Sequence, residues 1–203
     1  MEAPKLENIE QVSDGWIKKY ILTYRLPDGS PYVYESVSRK GLDAFRAHLE
    51  ANGTGQTPKG SDAICVVAHT TDDTLVLIRE FRYPLNSWCI GFPAGLVEPG
   101  EDPAACADRE LQEETGFRIV PGSTVRFLPQ AGCSSTGLTD EAVQVVFVEA
   151  EKASEAHTEP GELIEIFELP CSDIRSFLDS NTTPMGTRAQ LVLEMFARQK
   201  ETL

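Results

Sequence analysis

The stretch from Asp102-Pro103 to Thr115-Gly116 fixes a helix at both of its ends, and it constrains the rest of the chain more than any other segment. Asp102 is an N-cap residue, Pro103 suits the first helical position, and Gly116 suits the left-handed residue that ends a helix, so a helix is predicted from about 103 to 115. Ala104, Ala107 and Leu111 fall at i, i+3 and i+7, which gives the helix one apolar side to lay on a sheet. Glu110 relates to Glu113 and Glu114 at i+3 and i+4, with Arg109 as the neighbouring cation. Three carboxylates on one patch repel one another by about 0.2–0.5 kcal/mol per pair, so the patch calls for positive charge. Oxygen-only donors suit a hard divalent cation, Mg²⁺ or Mn²⁺, whereas zinc would ask for histidine and thiolate. Taken alone, the same three glutamates also suit a solvated helix face.

The remainder of the chain supplies the sheet. Its 203 residues, 41% hydrophobic and 25% charged, are enough for one globular domain with a small appendage. The segment 16–38 holds two β-rich runs around Pro27-Asp28-Gly29-Ser30, a hairpin signal, and GLDAFRAHLEANG has helical spacing at Leu42, Phe45 and Leu49. A turn-rich linker, GTGQTPKGS, then separates an N-terminal unit (1–60; hairpin, short helix, linker) from a main domain (61–203). In the main domain AICVVAHT, TLVLIREFRY, AVQVVFVEA and ELIEIFELP read as strands, and SDIRSFLDS and TRAQLVLEMFARQK as helices. Strands and helices mix without a βαβ repeat, and no glycine-rich phosphate loop follows the first strand. The fold class is therefore α/β with a mixed sheet, not a Rossmann or P-loop domain.

Charge and cysteine content exclude several classes. Thirty-two acidic against eighteen basic residues, a net charge of -14, argue against nucleic-acid binding, so a small anionic partner would need metal ions or a few placed arginines. MEAPKLENIEQ has neither a basic n-region nor an apolar h-region, and no stretch approaches 18 apolar residues, which argues for a cytoplasmic protein without a membrane span. Cys65, Cys89, Cys106, Cys133 and Cys171 are odd in number, dispersed and without a CxxC, as expected of reduced thiols. His48, His69 and His157 are scattered and no GxSxG occurs, against a triad hydrolase.

The spacing around the acidic helix resembles a known family. From Gly95 the chain runs five residues to Glu101, seven more to Arg109-Glu110, then Glu113-Glu114 and Gly116, which resembles the Nudix box at every fixed position. Seven specified residues at typical frequencies give a chance match on the order of 10⁻⁸ per start site. The resemblance, which extends over residues 15–195, implies an α/β/α sandwich whose loop-helix-loop holds divalent cations against a diphosphate. It implies Glu110, Glu113 and Glu114 as metal ligands, the Ala94 carbonyl as a backbone ligand, Arg109 as the holder of the glutamates, and Glu101 as loop support. The base would be Glu114 or Glu162. The implied reaction is hydrolysis of a nucleoside diphosphate linked to another moiety.

Residues outside the box resemble the ADP-ribose and nucleoside-diphosphate-sugar pyrophosphatase branch: DGW, YESVSR and REFRYPLNSWCIGFPAG. The resemblance implies a homodimer with an exchanged N-terminal unit, Trp16 and Tyr34 sandwiching the base, Glu35 accepting from an adenine amino group, and Arg39 and Arg82 near the phosphates or base. Asp140 and Glu141 match a frequent acidic pair in the loop before a strand. The substrate would be ADP-ribose, cleaved to AMP and ribose 5-phosphate, with GDP-mannose, NADH, a flavin dinucleotide or a dinucleoside polyphosphate as alternatives. A non-hydrolytic nucleotide-sensing module is the alternative of another class. Two departures stand out: Gly91 replaces a glutamate common in relatives, and 41–59 reads as an insertion that lengthens the linker or, as the alternative, sets its helix over the active-site mouth of the dimer.

Overall fold

The computed structural model describes residues 2–53 and 60–201. These form two compact units, one comprising the residues up to Asp62 with Ala131–Val143, the other Ala63–Gln130 with Gln144 onward. Part of the linker, residues 54–59, lies outside the described residues.

The first unit is built on a three-stranded antiparallel sheet in the order β1 (Lys5–Gln11), β2 (Lys18–Arg25), β3 (Pro31–Ser38). β2 and β3 are the two runs of the expected hairpin, and their turn is held by the Asp28 carboxylate, which accepts from Ser30 N at 2.9 Å, with Gly29 at φ 84°. β1 is a strand the sequence hides. Leu6 and Ile9 are three residues apart, but a bulge between Leu6 and Asn8 inserts one residue and returns both to the same side of the sheet. Helix α1 (Leu42–Gly53) covers that side, with the Phe45 ring centroid 4.4 Å from that of Tyr20 and Ile9 and Leu22 around them. The reading of this segment as a lengthened linker is corrected for 42–53: Phe45 is wholly buried, and Leu42 and Leu49 pack beside it, so α1 covers the small core of the sheet. The segment 131–141 folds back on β3, where Val37 N donates to Leu138 O at 2.9 Å and Tyr34 Oη to Gly137 O at 2.7 Å.

The second unit holds a mixed sheet between helices. β4 (Ala63–Thr70) and β5 (Thr74–Arg82) pair near their shared turn at Ala68↔Val76 and His69↔Leu75. Farther from that turn, β6 (Ser87–Gly91) pairs with β5 and β7 (Ala94–Leu96) with β4, so Phe92-Pro93 lies where the two strands have separated. Helix α2 (Pro103–Thr115) follows, then the short strands β8 (Phe117–Ile119) and β9 (Arg126–Phe127). β10 (Gly132–Cys133), in the first unit, pairs with the first two residues of β11 (Ala142–Lys152). β11 continues beside β4, and β12 (Ile164–Pro170) lines the outer edge of β5. Helices α3 (Ile174–Ser180) and α4 (Thr187–Glu201) end the chain.

Strand alternation assigns the two faces. Ile64, Val66, Ala68, Val76, Val146 and Val148 form one core with Ala107 and Leu111 of α2. Cys65 points the other way and hydrogen-bonds Arg188 of α4, while His69 meets the Phe196 ring of α4 at 6.4 Å. The sandwich of helix, sheet and helix is thus present, with α2 on one face and α4 on the other. None of the five cysteines forms a disulfide.

Candidate functional site

Helix α2 is anchored at each end by the residues that define it. Asp102 Oδ1 accepts from Ala104 N at 2.9 Å and Ala105 N at 3.2 Å. Gly116 takes φ 70° and its N–H bonds Gln112 O, and a Cβ there would run into the Ser154 carbonyl, so only glycine fits. With its ends fixed, the helix holds the three glutamates in unequal settings. Glu113 faces solvent with its side chain 49% exposed, Glu110 is 12% exposed, and Glu114 is 5% exposed. The three carboxylates are therefore unequally buried, and the innermost is Glu114. It continues the buried stripe of Ala107 and Leu111 at i+7 and i+3, a relation already visible in the sequence.

Arg109 organises this end of the unit. Its Nε and Nη2 grip Glu101 at 2.8 and 3.0 Å, its Nη1 reaches Glu110 Oε1 at 2.7 Å and Glu113 Oε2 at 3.0 Å, and Nη2 also donates to Leu96 O at 3.1 Å. The fork from Arg109 and the Glu98 N–H hold the Glu101 carboxyl down at about 2. Glu101 thereby closes the loop between β7 and α2 without facing the other acids. Gly95 explains its own identity: a Cβ at this position would fall on the Glu110 carboxylate, so the side-chain-free backbone of β7 is what lets Glu110 approach. Next to it, Ala94 N donates to Glu114 Oε2 at 3.0 Å.

The electrostatics of the cluster are unbalanced. Burial pushes the Glu114 carboxyl up to about 8, and the charges of Glu110, Glu80 and Glu162 add to the rise against the Ala94 N–H bond. Burial also raises Glu110, with Arg109 opposing it and Glu113 and Glu162 adding to it. Glu162 sits in the loop before β12, where its own Oε2 accepts from Glu159 N at 2.9 Å and the Tyr83 hydroxyl bonds Gly161 O at 3.0 Å. Glu80, on β5, was not singled out from sequence; burial raises it too, Arg82 opposes, and Glu162 adds to it. Its signal was the alternation Val76, Ile78, Glu80, which carries a carboxylate onto the same face as the α2 core. Arg82 pairs with Glu80 at 2.9 Å. Glu110, Glu80 and Glu162 all bear on Glu114, and such a set of oxygen donors, with Gly95 leaving room for Glu110, fits a hard divalent cation.

The other residues noted from sequence lie in the first unit. Trp16, between β1 and β2, is 73% exposed. Tyr34 lies on β3 with its ring 6.3 Å from Tyr32. Glu35 pairs with Lys19 across the β2–β3 register at 2.9 Å. Arg39 and Glu141 are brought together as an ion pair, and Asp140 pairs with Lys40 at 2.9 Å.

Comparison with known proteins identifies the family. The family model described as the NUDIX domain matches residues 59–186. The chain belongs to the Nudix family. This Nudix chain is 32% identical over 185 residues to the ADP-sugar pyrophosphatase of Mus musculus, which covers 84% of this chain and 75% of the relative. It is also 32% identical over 149 residues to the ADP-ribose pyrophosphatase of Bacillus subtilis (strain 168), covering 70% and 78%. A solved structure described as ADP compounds hydrolase shares the Nudix fold at a TM-score of 0.70 and 20% identity, covering 98% of this chain and 94% of that one.

Proposed function

We propose that this Nudix chain hydrolyses the diphosphate of a nucleoside diphosphate linked to another moiety, with ADP-ribose as the substrate and AMP and ribose 5-phosphate as products. The observation that carries the reading is the set of buried carboxylates around Ala94 and Gly95, raised by burial and by one another. The mouse ADP-sugar pyrophosphatase and the Bacillus ADP-ribose pyrophosphatase, as relatives, support the choice of substrate. Glu110, Glu113, Glu114 and the Ala94 carbonyl would hold Mg²⁺ or Mn²⁺. Such a cation neutralises diphosphate charge and lowers the pKa of a bound water.

The chain's own groups would do the rest. Arg109 keeps Glu110 and Glu113 oriented by its Nη1 bonds, so neither has to be ordered when substrate arrives. Glu114 would hold a cation in its ionised form, releasing its proton to solvent, and the Ala94 N–H keeps its carboxyl in place. Glu162 or Glu114 takes the proton of the attacking water, Glu162 being the one on a loop. Arg82 would meet a phosphate with its exposed guanidinium. In the first unit, Trp16 and Tyr34 would stack on the base, with Glu35, Arg39 and Glu141 around it, in a homodimer that exchanges this unit. An exposed indole such as that of Trp16 is a surface a base can cover. The proposed setting is the cytoplasm; among the described residues no helix is long and apolar enough to cross a membrane.

The test is cation-dependent turnover on ADP-ribose, GDP-mannose, NADH, a flavin dinucleotide and a dinucleoside polyphosphate, with products resolved by chromatography. AMP formed fastest from ADP-ribose supports the reading. Faster turnover of another diphosphate keeps the chemistry and removes the substrate, and silence on all of them would leave a nucleotide-sensing module.

A further inference from the structure

Glu80 stands at a place where a sheet has little reason to keep a charge. β5 is flanked on both edges at this residue, by Cys89 of β6 and Ile164 of β12. Its alternation places Val76, Ile78, Glu80 and Arg82 on the face that packs α2, because Val76 belongs to the core with Leu111. Arg79 and Phe81 occupy the opposite face, where both meet Trp88, the arginine at 4.7 Å from the ring and the phenylalanine at 5.9 Å between centroids. The Glu80 side chain is only 14% exposed. Its one described ion-pair partner, Arg82, is more than half exposed and sits at the rim of the same face. From this position the Glu80 charge reaches Glu114, and that of Glu162 reaches Glu80.

We propose that Glu80 is a cation-binding residue of this site, adding a carboxylate from the sheet to those that α2 presents to a divalent cation. The inference rests on the cation reading given above. The competing role is positioning of Arg82 for a phosphate, which would leave cation affinity untouched. Gly91 separates the two. It lies opposite Ile78, on the same face and one diagonal step from Glu80, in a backbone conformation open to any residue, and a Cβ there would meet nothing within 4 Å. A carboxylate can therefore be moved from position 80 to position 91 without crossing the sheet.

The experiment is a Mn²⁺ titration of the full chain without substrate, read by the electron paramagnetic resonance signal of free Mn²⁺. Glu80→Gln, which keeps the side chain's shape, is expected to weaken Mn²⁺ binding about 10-fold. Gly91→Glu added to Glu80→Gln is expected to recover most of that loss, and Arg82→Ala is expected to bind Mn²⁺ at least as tightly as the parent chain. Unchanged affinity in Glu80→Gln, alongside loss of binding in Glu113→Gln, would overturn the role of Glu80 and leave the cation reading intact. Weakening that Arg82→Ala reproduces, or that Gly91→Glu fails to reverse, would also overturn it. A parent chain that takes up no Mn²⁺ would remove both.

Discussion

The two units treat buried charge in opposite ways. In the first, Lys40 lies against Asp62 at 2.6 Å and Asp140 at 2.9 Å, and Arg39 against Glu141. Burial works against the Lys40 ammonium, yet its two aspartates raise it overall; burial likewise opposes the Asp62 charge, and Lys40 and the Ala142 N–H still hold its carboxyl low. Each charge there is answered by a neighbour of the opposite sign. In the second unit Glu114, Glu110, Glu80 and Glu162 influence one another, and Arg109 is spread over Glu101, Glu110 and Glu113. On the reading proposed above, the excess of carboxylates in the second unit is what a divalent cation would balance. The contrast is between charges that are balanced within the fold and carboxylates that outnumber their cations, which is where ligands are bound in many sites.

Substitutions should respect that division. Glu113→Gln and Glu114→Gln are each expected to lower kcat by at least about 10²-fold with the far-ultraviolet circular dichroism unchanged, because each removes charge where the cation would sit. Near-normal turnover in both would break the contrast at its active side. Gly95→Ala should lower kcat/KM by about 10-fold or more, since its methyl would displace Glu110, while Gly91→Ala, placed in open space, should change it by less than about 2-fold. Equal effects of the two, measured by steady-state kinetics, would deny that Gly95 serves Glu110. In the balanced unit, Lys40→Met leaves Asp62 and Asp140 without their cation and should cost about 1–3 kcal/mol in urea unfolding. Trp16→Ala should raise KM about 10-fold and lower kcat less, because stacking acts away from the phosphates. An unchanged KM would take Trp16 out of base binding.

What was legible in the sequence was mostly what is local. Both ends of α2 follow from Asp102, Pro103 and Gly116, whose effects reach only the adjacent turn. Strands with strict alternation or a dense apolar run, such as β4 and β5, were equally plain. β1 was hidden by its bulge, which shifts Leu6 and Ile9 off a period of two. Non-local pairing was hidden as well: nothing in the string ties 131–141 to β3, and the Arg39–Glu141 pair joins residues far apart in the chain. At the site, spacing gave the carboxylates but not their burial, because a charged residue on an apolar stripe is ordinarily read as the edge of that stripe. Glu114 and Glu80 both sit in such places.

The most direct measurement is the melting temperature of the metal-free protein and of the protein with millimolar Mg²⁺, each across pH 5 to 9. The Glu114 carboxyl is raised from 4.5 to about 8 in the folded chain, so the folded state holds this proton more tightly than the unfolded one does. Stability without a cation should therefore fall as pH climbs from about 4.5 through about 8. A divalent cation binds the ionised form and opposes that fall, so the stabilisation it adds should grow from pH 6 to pH 9, and Glu114→Gln should flatten the metal-free curve. A cation effect that is absent, or equal at every pH, would contradict the proposal that this excess of carboxylates over cations binds a divalent cation.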